Sequence, residues 1–194
     1  GLPIKQLVVA TNSNDILHRF INGNEYSTTD LNHTLSPSMD ILVSSNFERY
    51  LFDLFDRDAE MLRTFMSKLG QESQQVSDDK WQQMRECFSS ARVDDALTCE
   101  TIAKVFSDTG KLVDPHTAVG IRAARECNAD PSTPMITLST AHPAKFSDAI
   151  NKAGLNTPEL PAHLTGLFEK EEHYSVVEND LAAVTEFVTK HSHS

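Results

Sequence analysis

A chain of 194 residues, 39% hydrophobic and 23% charged, has the composition of a soluble globular protein, which excludes a fibre or a disordered tail. It is long enough for one domain, or for a domain with a subdomain. The 28 acidic residues outnumber the 17 basic ones, for a formal charge of -11, and no Lys/Arg-rich stripe supplies the clustered cations that nucleic-acid binding requires.

Cys87, Cys99 and Cys127 are odd in number and lack CxxC spacing, so they read as thiols in a reducing compartment. No apolar run approaches the roughly 20 residues of a membrane helix. The opening Gly1-Leu2-Pro3-Ile4-Lys5 has no basic region leading into an apolar stretch, so no signal peptide and no membrane partner are expected, and the cytoplasm is the default address. The missing initiator Met suggests a chain cut from something longer.

In chain order, Leu7-Val8-Val9-Ala10 is a short β-branched run that predicts a buried strand. Thr11 to Asp15 is polar and supplies capping residues for a helix over Ile16 to Phe20. Residues 22–37 read as loop. From Phe47, apolar residues at Tyr50, Leu51, Leu54, Phe55, Leu62, Phe65 and Met66 keep helical spacing until Gly70. A helix is predicted around Trp81 to Phe88, and another around Cys99 to Phe106 with Glu100 in its first turn and Gly110 near its end. Asp114-Pro115 opens a largely buried helix running to Glu126, with Asp114 as cap and Pro115 at the first position.

Met135-Ile136-Thr137-Leu138 predicts a second strand, followed by Ser139-Thr140-Ala141-His142 and a helix opened by Pro143, with Phe146, Ala149, Ile150 and Ala153 facing inward. After Pro158 and Pro161 come a short helix, a strand at Tyr174 to Val177, and a last helix from Asn179-Asp180 with Leu181, Val184, Phe187 and Val188 on one face. Alternating strands and helices indicate an α/β fold with a mainly parallel sheet and flanking helices, and the segment 44–110 reads as all-helical.

Ligands in open α/β sheets collect at the carboxyl ends of strands, and helix starts suit anions. Three polar clusters meet these conditions: Thr11-Asn12, Asp114-Pro115-His116-Thr117 and Ser139-Thr140-Ala141-His142. Plainer roles compete at each position. Asn12, Asp15 and Asp114 can be helix caps, His116 and His142 half-buried histidines bonded to backbone, and Lys145 a solvated lysine. The terminal His-Ser-His-Ser, with His191 and His193, can chelate metal but more simply trails in solvent. A Ser139–His142–Asp114 triad can be written down, but no G-x-S-x-G elbow, H-E-x-x-H helix or GxxxxGK[ST] loop accompanies it.

Longer segments are more specific. Ala10-Thr11-Asn12-Ser13-Asn14-Asp15-Ile16 with Leu17-His18-Arg19-Phe20 resembles the ATNxNDI segment of threonine synthases. Residues 34–49, reading TLSPSMDILVSSNFER, and Ser139-Thr140-Ala141-His142-Pro143-Ala144-Lys145-Phe146 are similar to two further segments of that family. Asp114 to Val119 falls between them in the expected order, the ending at Asn179-Asp180-Leu181-Ala182-Ala183 is also similar, and residues 68–98 match loosely.

The resemblance implies the second fold type of pyridoxal-phosphate (PLP) enzymes and the conversion of O-phospho-L-homoserine and water to L-threonine and phosphate. On this reading 1–43 belongs to the large domain of that fold, 44–110 is a helical insertion or subdomain, and 111–194 is the α/β carboxy-terminal part. The family resemblance assigns Thr140 to the ring nitrogen of PLP, with Asn12, Ser139, His142 and His116 as further candidates near the site. A hydroxyl there does not enforce ring protonation. No catalytic residue is expected in this chain: the family's Schiff-base lysine lies in an S-F-K-D segment upstream, the glycine-rich phosphate loop also precedes the GLPI segment, and Lys145 is not the matching lysine. The expected partners are O-phosphohomoserine and the amino-terminal half of the enzyme, with self-association of the isolated chain. The competing expectation is a stand-alone, non-catalytic module that keeps the fold and binds a ligand or partner.

Overall fold

The computed structural model describes residues 3–128 and 130–192. Gly1 and Leu2 of the opening segment, and His193 of the terminal histidine pair, lie outside the described residues. Contacts divide the chain into two units, residues 1–159 and 160–194.

In the first unit, β1 (Leu7–Thr11) follows the predicted strand, and α1 (Ile16–Gly23) follows the predicted helix. The helical stretch after Phe47 is two helices, α2 (Glu48–Leu54) and α3 (Ala59–Ser67). Asp56 and Arg57 between them take φ values of 56° and 66°, which no α-helix continues through. Asp58 then restarts the helix, its carboxylate accepting the Glu60 and Met61 N–H groups at 2.9 and 3.0 Å.

Next come α4 (Asp78–Cys87), β2 (Phe88–Arg92) and α5 (Asp95–Thr109). The strand β2 corrects the reading of Phe88 as a helix end and of 44–110 as all-helical. It pairs in parallel with β1, in the register Leu7 with Phe88 through Thr11 with Arg92. Its sequence, FSSAR, carries no β-branched residue, so local preference does not announce it; pairing with β1 decides. In α5 the first turn holds Asp95, and Glu100 sits later, facing Arg122 at 3.5 Å. Gly110 closes α5 at φ 69°, donating its N–H to Phe106 O at 2.8 Å.

Helix α6 (Pro115–Cys127) opens on Asp114 as expected and packs against both strands and α5. The predicted strand at Met135–Leu138 is instead irregular chain lying along α6. A Cβ on Gly120 would stand 3.1 Å from Thr137 Cγ2, so the glycine permits this close approach. The apolar residues of the segment point away, Ile136 at 82% and Leu138 at 77% exposure. A 3₁₀ turn at Pro143–Lys145 leads into α7 (Ser147–Lys152), whose Ala149 and Ile150 are buried with Ile102 and Ala118.

The larger core cluster joins α1 to α2, α3 and α4 through Phe20, Tyr26, Phe47, Leu51, Phe65 and Met84. Phe20 lies 5.0 Å from the Tyr26 ring and 6.2 Å from the Phe47 and Phe65 rings. Burial pushes the Tyr26 phenol up to about 12, so the ring is a neutral core residue at physiological pH.

In the second unit, two short 3₁₀ turns precede α8 (Leu181–His191), whose cap Asp180 accepts the Ala183 N–H at 2.9 Å. Tyr174 to Val177, expected as a strand, pairs with no strand among the described residues, and Tyr174 is 79% exposed. The apolar face read for the last helix is mostly open: Leu181, Val184 and Val188 are exposed, and Phe187 is half-buried against His191.

Candidate functional site

The polar turn after β1 is a buried hub. Asn12, at the strand's carboxyl end, directs its amide nitrogen to Asp40 Oδ1 at 2.8 Å, Thr34 Oγ1 at 2.8 Å and Ser36 Oγ at 3.0 Å. Its amide oxygen accepts the Asn14 N–H at 2.9 Å, and Asn14 in turn donates to Asn32 O at 2.8 Å and Asp40 Oδ1 at 3.0 Å. Asp40 Oδ2 also accepts the Thr34 N–H at 3.0 Å. Asn12 is therefore no helix cap: it fastens the 32–40 loop to the end of the sheet. Asp15, the residue before α1, makes no side-chain cap and instead pairs with Arg19 at 2.9 Å and Arg92 at 3.2 Å.

The loop meets the start of α6 through one hydrogen bond, in which Ser38 donates its backbone N–H to His116 Nε2 at 3.1 Å. A backbone amide can only donate, so Nε2 accepts and the ring proton sits on Nδ1, which donates to Asp114 Oδ1 at 3.0 Å. His116 is a buried neutral imidazole with both nitrogens engaged, its ring tilted by 59° against Phe146 with the ring centres 4.6 Å apart.

Asp114 is fully buried. It accepts the His116 N–H at 2.9 Å, the His116 Nδ1–H, the Thr117 N–H at 3.3 Å and the Thr117 hydroxyl. Among the described residues no Lys or Arg pairs with it, so these donors and the amino-terminal end of the α6 dipole offset the charge.

Thr117 extends the network to Thr140. Its Oγ1 accepts the Thr140 N–H at 3.1 Å, and Thr140 Oγ1 lies 3.4 Å from Thr117 Oγ1 and 3.5 Å from Asp114 Oδ1. Thr140 itself is exposed. A buried, hydrogen-bonded framework thus leads out to Thr140 at the surface.

Of the residues singled out in the sequence, Asn12, His116 and Thr140 fall in one continuous polar network. Ser139 and His142 stand outside it: both are exposed, and His142 Nδ1 accepts the Ala144 N–H at 3.2 Å as a cap of the following turn. Lys145 is exposed, its Nζ 5.7 Å from the centre of the Phe146 ring. In the sequence Thr117 stands out only as the last member of the Asp114-Pro115-His116-Thr117 cluster, with no role of its own, and Thr34, Ser36 and Asp40 carry none. Thr117 was detectable as the third residue after a capping Asp, where a hydroxyl can return to the cap, and the other three lie inside TLSPSMD.

The family model described as "Threonine synthase, C-terminal" matches residues 117–188. The chain is 55% identical to the threonine synthase of Pseudomonas aeruginosa, over 98% of this chain and 41% of that protein. It superposes on the PLP-bound threonine synthase of Brucella melitensis with a TM-score of 0.87 and 44% identity, covering 100% of this chain and 42% of that one. The yeast threonine synthase gives 0.82 and 35%, over 98% of this chain and 42% of the other. The chain spans about two fifths of the length of the curated relatives it matches. Its sequence and fold together place it in the threonine synthase family, to whose carboxy-terminal portion it corresponds.

Proposed function

We propose that this chain is the carboxy-terminal portion of a cytoplasmic, PLP-dependent threonine synthase of the second fold type, a lyase of threonine biosynthesis that turns O-phospho-L-homoserine and water into L-threonine and phosphate. The observation that carries the reading is the Thr140 hydroxyl, exposed at the end of a buried polar network in the segment that resembles STAHPAKF. The residues present fit one end of the cofactor. A fixed, exposed hydroxyl suits a ring nitrogen, whereas the glycines at 23, 70, 110, 120, 154 and 166 are dispersed and build no phosphate cradle. The cradle and the cofactor-binding lysine belong, on this proposal, to the amino-terminal portion, and the isolated chain does not catalyse.

When bound, PLP supplies the electron sink for proton removal from the amino-acid substrate. This chain's own part is positioning. Thr140 meets the ring nitrogen, Thr117 holds Thr140 by its N–H, and the His116–Ser38 bond ties the 32–40 loop to the same helix start. Ile136 and Leu138, exposed here, are covered by the amino-terminal portion in the complete enzyme, and self-association follows when they are left open.

A chimera in which this chain replaces the matching portion of the Pseudomonas aeruginosa enzyme tests the reading by phosphate release from O-phosphohomoserine. The unsubstituted chimera is expected to turn over. Thr140→Ala is expected to lower kcat about 10- to 100-fold, as loss of one well-placed hydrogen bond in a desolvated site does. Unchanged kcat in that variant removes Thr140 from the site.

A further inference from the structure

A threonine hydroxyl can face a ring nitrogen as donor or as acceptor, and its surroundings decide which. Thr117 Oγ1 donates its only hydrogen to Asp114 Oδ2 and accepts the Thr140 N–H at 3.1 Å. Among the described residues, the oxygens within reach of Thr140 Oγ1 are Thr117 Oγ1 at 3.4 Å and Asp114 Oδ1 at 3.5 Å. Neither can donate to Thr140: one has already committed its hydrogen, and the other belongs to a carboxylate. The Thr140 hydrogen therefore turns inward, towards a fully buried negative group that no Lys or Arg neutralises among the described residues. The lone pairs of Thr140 Oγ1 are left facing outward. Contacts of this length tighten when a ligand closes the site, and low-dielectric surroundings strengthen the pull of the carboxylate.

We propose that Asp114 is a positioning residue that makes the Thr140 hydroxyl an acceptor, so that the ring nitrogen of bound PLP is held in its protonated form. The proton chain runs from ring N–H to Thr140 Oγ1, and from the Thr140 O–H to Asp114 Oδ1. The inference rests on the proposed pairing of Thr140 with that nitrogen. It reverses the expectation that a hydroxyl leaves ring protonation unenforced, because the hydroxyl here is backed by a carboxylate. Asp114 itself touches no ligand; it acts through Thr140.

The test is the 15N chemical shift of ring-labelled PLP bound to the chimera, measured alongside the urea midpoint. The unsubstituted protein is expected to give a pyridinium shift. Asp114→Asn keeps the size of the residue and its capping oxygen, Oδ1, and puts an amide donor in place of the charged Oδ2; that donor faces Thr117 Oγ1, whose freed hydrogen can turn to Thr140 Oγ1 and send the Thr140 hydrogen outward. It should move the shift towards neutral pyridine, with most of the urea midpoint retained. If Thr140→Ala moves the shift and a folded Asp114→Asn does not, the role of Asp114 is overturned while that of Thr140 stands. If neither moves it, the pairing of Thr140 with the ring falls, and this inference with it. Should Asp114→Asn not fold, the unsubstituted chimera decides alone, since a neutral-pyridine shift there contradicts the proposal.

Discussion

Asp114→Ala is expected to destabilise the chain by about 3–7 kcal/mol, as the sum of a lost helix cap and two stranded donors. The carboxylate is the cap of α6, taking the His116 and Thr117 backbone N–H groups, and capping alone contributes about 1 kcal/mol. The substitution also strands His116 Nδ1–H and the Thr117 hydroxyl in a buried position, each costing roughly 1–3 kcal/mol when no water replaces the acceptor. Freed from Asp114, His116 can change tautomer and lose the Ser38 bond, so the damage reaches the 32–40 loop. Urea unfolding followed at the single tryptophan, Trp81, gives the number. A loss under 1 kcal/mol contradicts the network as drawn.

The other large effect lies in the core. Phe20→Ala should cost about 3–5 kcal/mol, the range for removing a buried aromatic ring from a site that cannot collapse around the hole. Phe20 is fully buried, and its neighbours Tyr26, Phe47 and Phe65 come from three other segments of the chain. No single helix can shift to refill the space without disturbing the rest. Trp81 reports here directly, because its Nε1–H donates to Phe20 O at 3.2 Å and Ile21 O at 3.0 Å. A midpoint that falls with an unchanged urea slope is the expected signature, and a shift equivalent to less than 1 kcal/mol would show that the cluster relaxes.

What could be read from the residues depended on whether the signal was local. The strand at Leu7, the Asp114-Pro115 helix start and the inward face of α7 are written in neighbouring residues, and the structure has all three. FSSAR forms a strand only because β1 lies beside it, and that partner is some eighty positions away along the chain. Met135–Leu138 and Tyr174–Val177 carry strand-like composition, yet neither pairs with a strand among the described residues, so preference alone did not decide. The break at Asp56 and Arg57 was hidden because apolar spacing continued across it. In the site, the polar ends at Asn12, His116 and Thr140 were legible, but the links through Thr117, Ser38 and Asp40 are tertiary, joining positions up to 78 apart.

The claim on which everything else turns is the division of labour: this chain presents a hydroxyl to the cofactor ring, and the reactive lysine lies in another part of the enzyme. Titrating PLP into the isolated chain, reducing with borohydride and mapping the modified residues tests it most directly. No saturable attachment is expected, only sparse labelling spread over exposed lysines such as Lys145. Saturable attachment to one lysine would contradict it, because the chain would then carry its own reactive lysine.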